Sequence, residues 1–251
     1  MRPIILRFDS LPSTNTEAAR QAAAGAPEGL CVVAREQTRG RGRRERVWVS
    51  PQDAGLYLSV VLRPARLAPQ AWPLITLAAA LAVRDALAKS CALEADIKWP
   101  NDLVAGRRKL CGILAETVET QTGRAVILGV GVNLDDRAFP PELRETAASV
   151  ASLKGNAPDV ETLLESLLSA VSSRYSALQA AGGAQETVSE WSRRSSYARG
   201  RRVRVSLGAE TFDGLTRGLE PDGALRVETD QGEIRIVRAG DVTSLRGRDE
   251  G

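Results

Sequence analysis

This chain of 251 residues contains no histidine, and that absence narrows its chemistry at once. Ser-His-Asp triads and His-ligated metals are excluded, which leaves little room for a zinc site. Cysteine is nearly as scarce. Cys31, Cys91 and Cys111 are odd in number, widely separated and without a C-x-x-C pair. They argue against a disulfide framework and for a reducing cytoplasm. No secretory signal opens the chain. The longest apolar run, around 73–83, falls short of the roughly 20 residues that a membrane-spanning helix needs. Lysine is rare too. Only Lys89, Lys98, Lys109 and Lys154 stand against a background of arginine. Where arginine is the default cation, a lysine hints that a compact ammonium is wanted there.

The composition is otherwise that of a globular protein, 43% apolar and 26% charged, and the length suits one large domain, or a large and a small one. Its net charge is +3, yet the stretch from Arg35 to Arg46 carries six arginines and two glutamates, a local +4. The remainder therefore sums to about −1. The excess positive charge sits in one glycine-hinged loop, Gln37 to Arg46. That arrangement suits a small, highly anionic ligand better than a long polyanion.

Hydrophobic patterning divides the chain. Ile4 to Phe8, Leu30 to Ala34, Leu56 to Leu62, Leu110 to Val118 and Ala125 to Val132 read as strands. Thr14 and Glu17 stand in capping-box relation before a helix running to Ala24. Pro73 to Leu87 is apolar nearly all round and predicts a buried helix. Asp159 caps a helix whose stripe is Val160, Leu163, Leu164, Leu167, Leu168, Val171, Tyr175 and Leu178. A further helix spans roughly Gln185 to Ser195, and Ala198-Arg199-Gly200 reads as a linker. Beyond it, short strands around 203–207, 211–219, 225–229 and 234–237 alternate with the turns Pro221-Asp222-Gly223 and Asp230-Gln231-Gly232, as in a small barrel. The expected architecture is an α+β domain over 1–198 and a β-barrel over 199–251.

Three constellations could carry chemistry. In the arginine loop, Gly40 and Gly42 can expose backbone N–H groups while the guanidiniums supply forked donors for phosphate or carboxylate. The loop matches neither the Walker phosphate loop nor the dinucleotide fingerprint. Read alone, it could equally be a solvated basic loop or a nucleic-acid contact, although no aromatic is interleaved among its arginines. Next comes Lys98-Trp99-Pro100-Asn101-Asp102, followed by Lys109-Leu110-Cys111-Gly112-Ile113. With Pro100 second in a tight turn, Lys98, Asp102 and Lys109 would share one neighbourhood. A plain surface hairpin would look the same. Finally, the polar groups of Ser13-Thr14-Asn15 could simply cap a helix.

Taken together and in this order, these stretches resemble the biotin protein ligases. That family combines a Ser-Thr-Asn start, a Gln-x-x-Gly-Arg-Gly-Arg loop, a Lys-Trp-Pro-Asn-Asp turn, a Lys-Leu-x-Gly-Ile strand and a Gly-x-Gly-x-Asn strand. Here they are Ser13 to Asn15, Gln37 with Gly40 to Arg43, Lys98 to Asp102, Lys109 to Ile113, and Gly129 to Asn133. The resemblance implies a mixed β-sheet flanked by helices, similar to class II synthetases, with a C-terminal SH3-like barrel. It implies a ligase that turns biotin and Mg-ATP into biotinyl-5′-adenylate, then transfers biotin to a lysine of a biotin carboxyl carrier domain. ATP with Mg²⁺, biotin and the carrier protein are the implied partners. Mg²⁺ would be held mainly by phosphates, with no metal site in the protein. Membrane and specific DNA binding are not expected, and the chain would act as a monomer or homodimer.

By position, the resemblance assigns biotin to Ser13, Thr14, Asn15, Gln37, Gly40, Arg41, Gly42, Arg43, Lys109, Gly112, Gly129 and Gly131. It assigns ATP and the adenylate to Arg41, Arg43, Trp48, Asn101, Asp102, Lys109 and Asn133. Arg43, Lys109 and Asp102 would be catalytic, with Asp102 the candidate base for the acceptor amine and Arg43 a latch on the adenylate. The arginine loop is expected to be disordered until an anion arrives. Glu45 departs from the family, which usually has glycine there. Only 12 residues precede Ser13, so a DNA-binding repressor domain is not expected. Two competing readings are a lipoate or octanoate ligase of similar fold and a nucleic-acid-binding module. The first lacks its Arg-Arg-x-x-Gly-Gly-Gly stretch here; the second predicts salt-sensitive, biotin-independent binding.

Overall fold

A computed structural model describes residues 3–245. The outermost residues of both expected domains, 1–2 and 246–251, lie outside it. The first sheet is built from β1 (Ile4–Leu11), β2 (Leu30–Gln37), β3 (Gly55–Leu62), β4 (Asp96–Lys98), β5 (Asp102–Ala105), β6 (Arg108–Thr120) and β7 (Gly123–Asn133). Its strand order is β1-β2-β3-β7-β6-β5-β4, seven strands in all. Only β1 and β2 run parallel, joined by α1 (Thr14–Ala23); every other neighbour is antiparallel. A parallel pair needs such a crossover, and the helix it carries lands on one face of the sheet.

The alternation of β3 and β7 shows how the two faces differ. Leu56, Leu58, Val60 and Leu62 of β3, with Val126, Leu128, Val130 and Val132 of β7, join one large core. That core also takes in α2 (Leu74–Cys91), α4 (Val160–Leu178) and α5 (Gly183–Arg194). Val61, Ala125 and Ile127 turn the other way, onto Ala18 and Ala22 of α1. Period-two alternation then places Ser59, Gly129 and Gly131 on the α1 face as well. Pairing aligns Ser59, Gly129 and Leu114 in one row and Tyr57, Gly131 and Gly112 in the next. A patch of sheet almost bare of side chains results, beside the N-terminus of α1.

The second sheet holds β8 (Arg199–Leu207), β9 (Glu210–Leu219), β10 (Leu225–Thr229), β11 (Ile234–Val237) and β12 (Asp241–Ser244), antiparallel in the order β11-β10-β9-β8-β12. It docks on the first through the turn at Gly223, whose carbonyl accepts a hydrogen bond from Trp99 Nε1 at 3.0 Å. Gly223 has φ +84°, and a Cβ there would come within 3.0 Å of Leu74 and Leu77, so glycine alone fits this contact.

Several local expectations need correction. Thr14 does not cap α1. Ser13 is the N-cap without a side-chain cap bond, and the Thr14 amide and hydroxyl both donate to Gln37 Oε1, at 2.8 and 3.1 Å. A distant side chain thus serves the helix end in place of a local box. Arg199 and Gly200 are not a linker: both belong to β8, and the Ala198 carbonyl accepts from Gly218 N at 2.7 Å. The Trp99–Pro100 peptide is cis, and residues 99–101 form a turn. β4 and β5 flank it as a hairpin, and α3 (Val150–Lys154) is a further unanticipated element. The Asp159 cap holds, with its carboxylate accepting from Thr162 N at 2.7 Å. Among the described residues no helix is long and apolar enough to cross a membrane.

Candidate active site

One cavity opens over the bare patch of the first sheet. Its lining includes Ser13, Thr14, Asn15, Gln37, Arg41, Gly42, Arg43, Trp48, Asn101, Asp102, Lys109, Gly112, Gly129 and Gly131. Residues nearly 120 positions apart thus meet in one place, and only Gly40 and Asn133 of the expected set lie outside the lining. Asp241 of the C-terminal sheet also reaches the cavity.

The α1 end is a fixed hydrogen-bonded net. Ser59 Oγ lies 2.6 Å from Asn15 Oδ1 and 2.8 Å from Thr14 Oγ1, and its single proton serves one of them. Gln37 accepts from Thr14 and donates through Nε2 to Ser50 Oγ at 2.8 Å. Asn15 Nδ2 donates to Glu116 Oε2 at 2.8 Å, and the other oxygen of Glu116 takes a close contact from Arg41. Buried polar groups must be paired in this way or pay their full desolvation cost. The amide of Asn15 presses against the sheet because Gly129 has no side chain: a Cβ there would lie 2.1 Å from Asn15 Oδ1.

The arginine loop closes on itself as a narrow hairpin. Bridges pair Gln37 with Ser50 and Arg41 with Val47, and Gly42 N donates to Arg46 O at 2.7 Å. At its tip Arg44 and Glu45 adopt φ +53° and +61°, where a side chain is disfavoured. Gly40 is part of this hairpin and does not line the cavity, since a Cβ would sit 2.2 Å from the Trp48 carbonyl. Arg41, Arg43, Arg44 and Arg46 of the loop have different fates. Arg41 is committed to Glu116, and Arg44 and Arg46 pair with Asp241. Arg43 alone has no carboxylate partner among the described residues; its Nη1 donates to Asn101 Oδ1 at 3.2 Å and to Gly240 O at 3.4 Å. Burial holds its pKa below the ordinary arginine value, against the pull of Asp241. An arginine so placed lacks an anion.

Opposite the loop stands the hairpin of β4 and β5. Lys98 and Asp102 face each other across it. Lys109 Nζ lies 2.7 Å from Asp102 Oδ1, although the approach is too oblique for a proper hydrogen bond. Burial, opposed by Asp102, depresses the Lys98 pKa. Asn101 is anchored by its Nδ2 donating to Ile113 O at 2.7 Å, which leaves its carbonyl oxygen for Arg43. Asn133, expected near the nucleotide, is instead a buried brace. Its Nδ2 donates to Lys109 O at 3.2 Å and Ala148 O at 3.0 Å, so it fixes the backbone beneath Lys109.

Trp48 changes the meaning of two glycines. Its indole lies over Gly131 and Gly112, where a Cβ would come within 2.5 and 2.9 Å of the ring. Lys109 Nζ stands 5.2 Å from the ring centroid, and the buried indole Nε1 has no hydrogen-bond partner. The floor that the resemblance reserved for the biotin rings is here covered by Trp48 and Asn15. Three contributors were missed from sequence: Ser59, Glu116 and Asp241. Glu116 had a signal, because it follows Gly112 and Leu114 at strand spacing on the same face. No group of three or more Cys, Asp or Glu suited to a metal ion is found among the described residues.

Comparisons with known proteins place the chain in a family. Residues 7–133 match the Biotin/lipoate A/B protein ligase family, and residues 199–243 match the Biotin protein ligase C terminal domain. The chain is 36% identical to the bifunctional ligase/repressor BirA of Bacillus subtilis, covering 94% of this chain and 72% of that protein. It is also 36% identical to the biotin–[acetyl-CoA-carboxylase] ligase of Mycobacterium tuberculosis, covering 93% and 86%. Among solved structures, a biotin protein ligase from Aquifex aeolicus in complex with biotin and ATP superposes with TM-score 0.83 at 26% identity, over 98% of this chain and all of that one.

Proposed function

This chain belongs to the biotin/lipoate A/B protein ligase family, and from that premise we propose that it is a biotin protein ligase. In the first step a biotin carboxylate oxygen attacks the α-phosphorus of Mg-ATP. The bond to the β-phosphate breaks, and pyrophosphate leaves. In the second, the Nζ of a lysine on a biotin carboxyl carrier domain attacks the acyl carbon. The acyl–phosphate bond breaks, AMP leaves, and the lysine gives up a proton.

The observation that carries this reading is the single cavity shared by Thr14, Gln37, Arg43, Asn101, Asp102 and Lys109. Two anions must be brought together in it, and each charge-assisted hydrogen bond contributes roughly 1.5–3 kcal/mol. Arg43 is suited to the task because it is desolvated and lacks a carboxylate partner. Lys109 is suited because its present partner, Asp102, can be exchanged for a phosphate. Stabilising the charge that develops on phosphorus accelerates the step more than uniform binding does. Mg²⁺ enters as part of the ATP substrate. Once Lys109 has moved to phosphate, Asp102 is released to take the proton of the acceptor amine. The Ser13 to Asn15 segment and Gln37 supply the hydrogen-bonding end for the biotin head group, and Trp48 the flat surface beside the nucleotide.

The test is pyrophosphate release with biotin, lipoate or octanoate, each with Mg-ATP. Release with biotin alone, followed by mass addition to a carrier domain, is the expected result. Release with lipoate or octanoate in place of biotin would overturn the assignment.

A further inference from the structure

We propose that Asp241 is a positioning residue that fastens the arginine loop to the C-terminal sheet and thereby slows escape of the activated intermediate. Asp241 opens β12, directly after Gly240, and sits on a strand whose partner is β8. Its carboxylate makes a close ion pair with Arg46 and lies 3.7 Å from Arg44 Nη1. The neighbouring Gly240 carbonyl accepts from Arg43 Nη1 at 3.4 Å, and Ser206 O on β8 accepts from Arg44 Nη1 at 3.5 Å. Three cations of the loop tip are therefore held by one corner of the second sheet.

Two further facts give the contact a purpose. Like charges at Arg43, Arg44 and Arg46 repel one another, and a hairpin tip with two left-handed side-chain residues does not hold itself down. The second sheet is in turn fixed to the first through Trp99 and Gly223, so the tip is anchored across the cavity it covers. Opening the loop to release a bound adenylate requires breaking the Asp241 contacts. A mixed anhydride must be shielded from water until the acceptor arrives.

The retention part of this inference rests on the proposed biotin activation, so two measurements are paired. In ligand-free protein, limited trypsin digestion reads the loop directly. Asp241→Asn should speed cleavage at 43–46 about three- to tenfold, the scale of losing partly exposed ion pairs. With biotin and Mg-ATP but no carrier, the same variant should release adenylate faster by a similar factor, trapped as the hydroxamate by hydroxylamine. Asp230→Asn, which breaks the Arg202 ion pair elsewhere in the same sheet, should change neither. Asp241→Glu, which keeps the charge that Arg44 and Arg46 share, should leave both within about twofold of wild type. Wild-type cleavage rates in Asp241→Asn, or Asp241→Glu rates as fast as those of Asp241→Asn, would overturn the latch. If wild-type protein makes no adenylate from biotin, the functional assignment falls instead, while the digestion still decides the latch.

Discussion

Glu116 holds Asn15 with one carboxylate oxygen and Arg41 with the other, so a single side chain of β6 joins the tip of α1 to the arginine loop. Glu116→Gln removes the charge and turns an amide NH2 toward one of the two donors, Asn15 or Arg41. Biotin affinity should fall about fivefold or more, the cost of disrupting a partly buried charged hydrogen bond. Isothermal titration with biotin measures it, and an unchanged affinity would show that the link is dispensable.

Gly129→Ala places a methyl 2.1 Å from the Asn15 amide oxygen. Neither a strand backbone nor a helix end can yield that far, so Asn15 must leave Ser59 and Glu116. We expect at least about tenfold weaker biotin binding, equivalent to about 1.4 kcal/mol. Titration and a thermal melt separate this loss from unfolding.

Glu45 occupies φ +61°, and glycine populates that region without steric penalty. Glu45→Gly should therefore be more stable than Glu45→Ala by about 1 kcal/mol, since both remove the charge and only one removes the strain. Urea unfolding of the two variants gives the comparison. Equal midpoints would mean that the tip is not held in this conformation in solution.

Lys98 has its pKa held below the ordinary 10.5 by burial. Between that depressed value and 10.5 the unfolded chain binds more protons than the folded one, so stability rises with pH across the window. Below that window the cost of the half-buried cation is present in full. Lys98→Met should melt higher than wild type at pH 7, and the gap should narrow toward pH 10.5. Melting curves over that range test the sign. Adenylate formation should fall in the same variant, because a charge beside Asp102 and Lys109 has been lost.

Arg43→Gly should still activate biotin but release the adenylate into solution. Asp102→Asn should slow transfer from preformed adenylate by about 10²-fold or more if Asp102 is the base. Single-turnover assays with and without carrier resolve the two steps. Near-normal transfer by Asp102→Asn would assign the proton to another acceptor.

Much of the site was legible because its residues come in contiguous runs. Lys98 to Asp102 makes the turn between β4 and β5, and Lys109 to Ile113 lies on the next strand, β6, so their neighbourhood follows from local hairpins. Thr14 was misread for the opposite reason. A hydroxyl three residues before a glutamate is a local pattern, but the partner that wins, Gln37, arrives from another strand. Ser59 reaches the site only through the register of β3 against β7, which its own sequence does not encode. Asp241 depends on how two sheets dock. The resemblance assigns Asn133 to the nucleotide, yet the segment around Ala148 folds over it and takes its amide.

The nearly unadorned strip formed by Gly112, Gly129 and Gly131 has a broader bearing. Trp48 and Asn15 can lie flat on it because it carries no side chains, so a ligand meets those two residues and not the peptide groups beneath them. Choice of cargo then rests with side chains around it, those of the first turn of α1, Trp48 and Arg43. Exchanging a handful of rim side chains should redirect such an enzyme to a different acyl group while its scaffold stays unaltered.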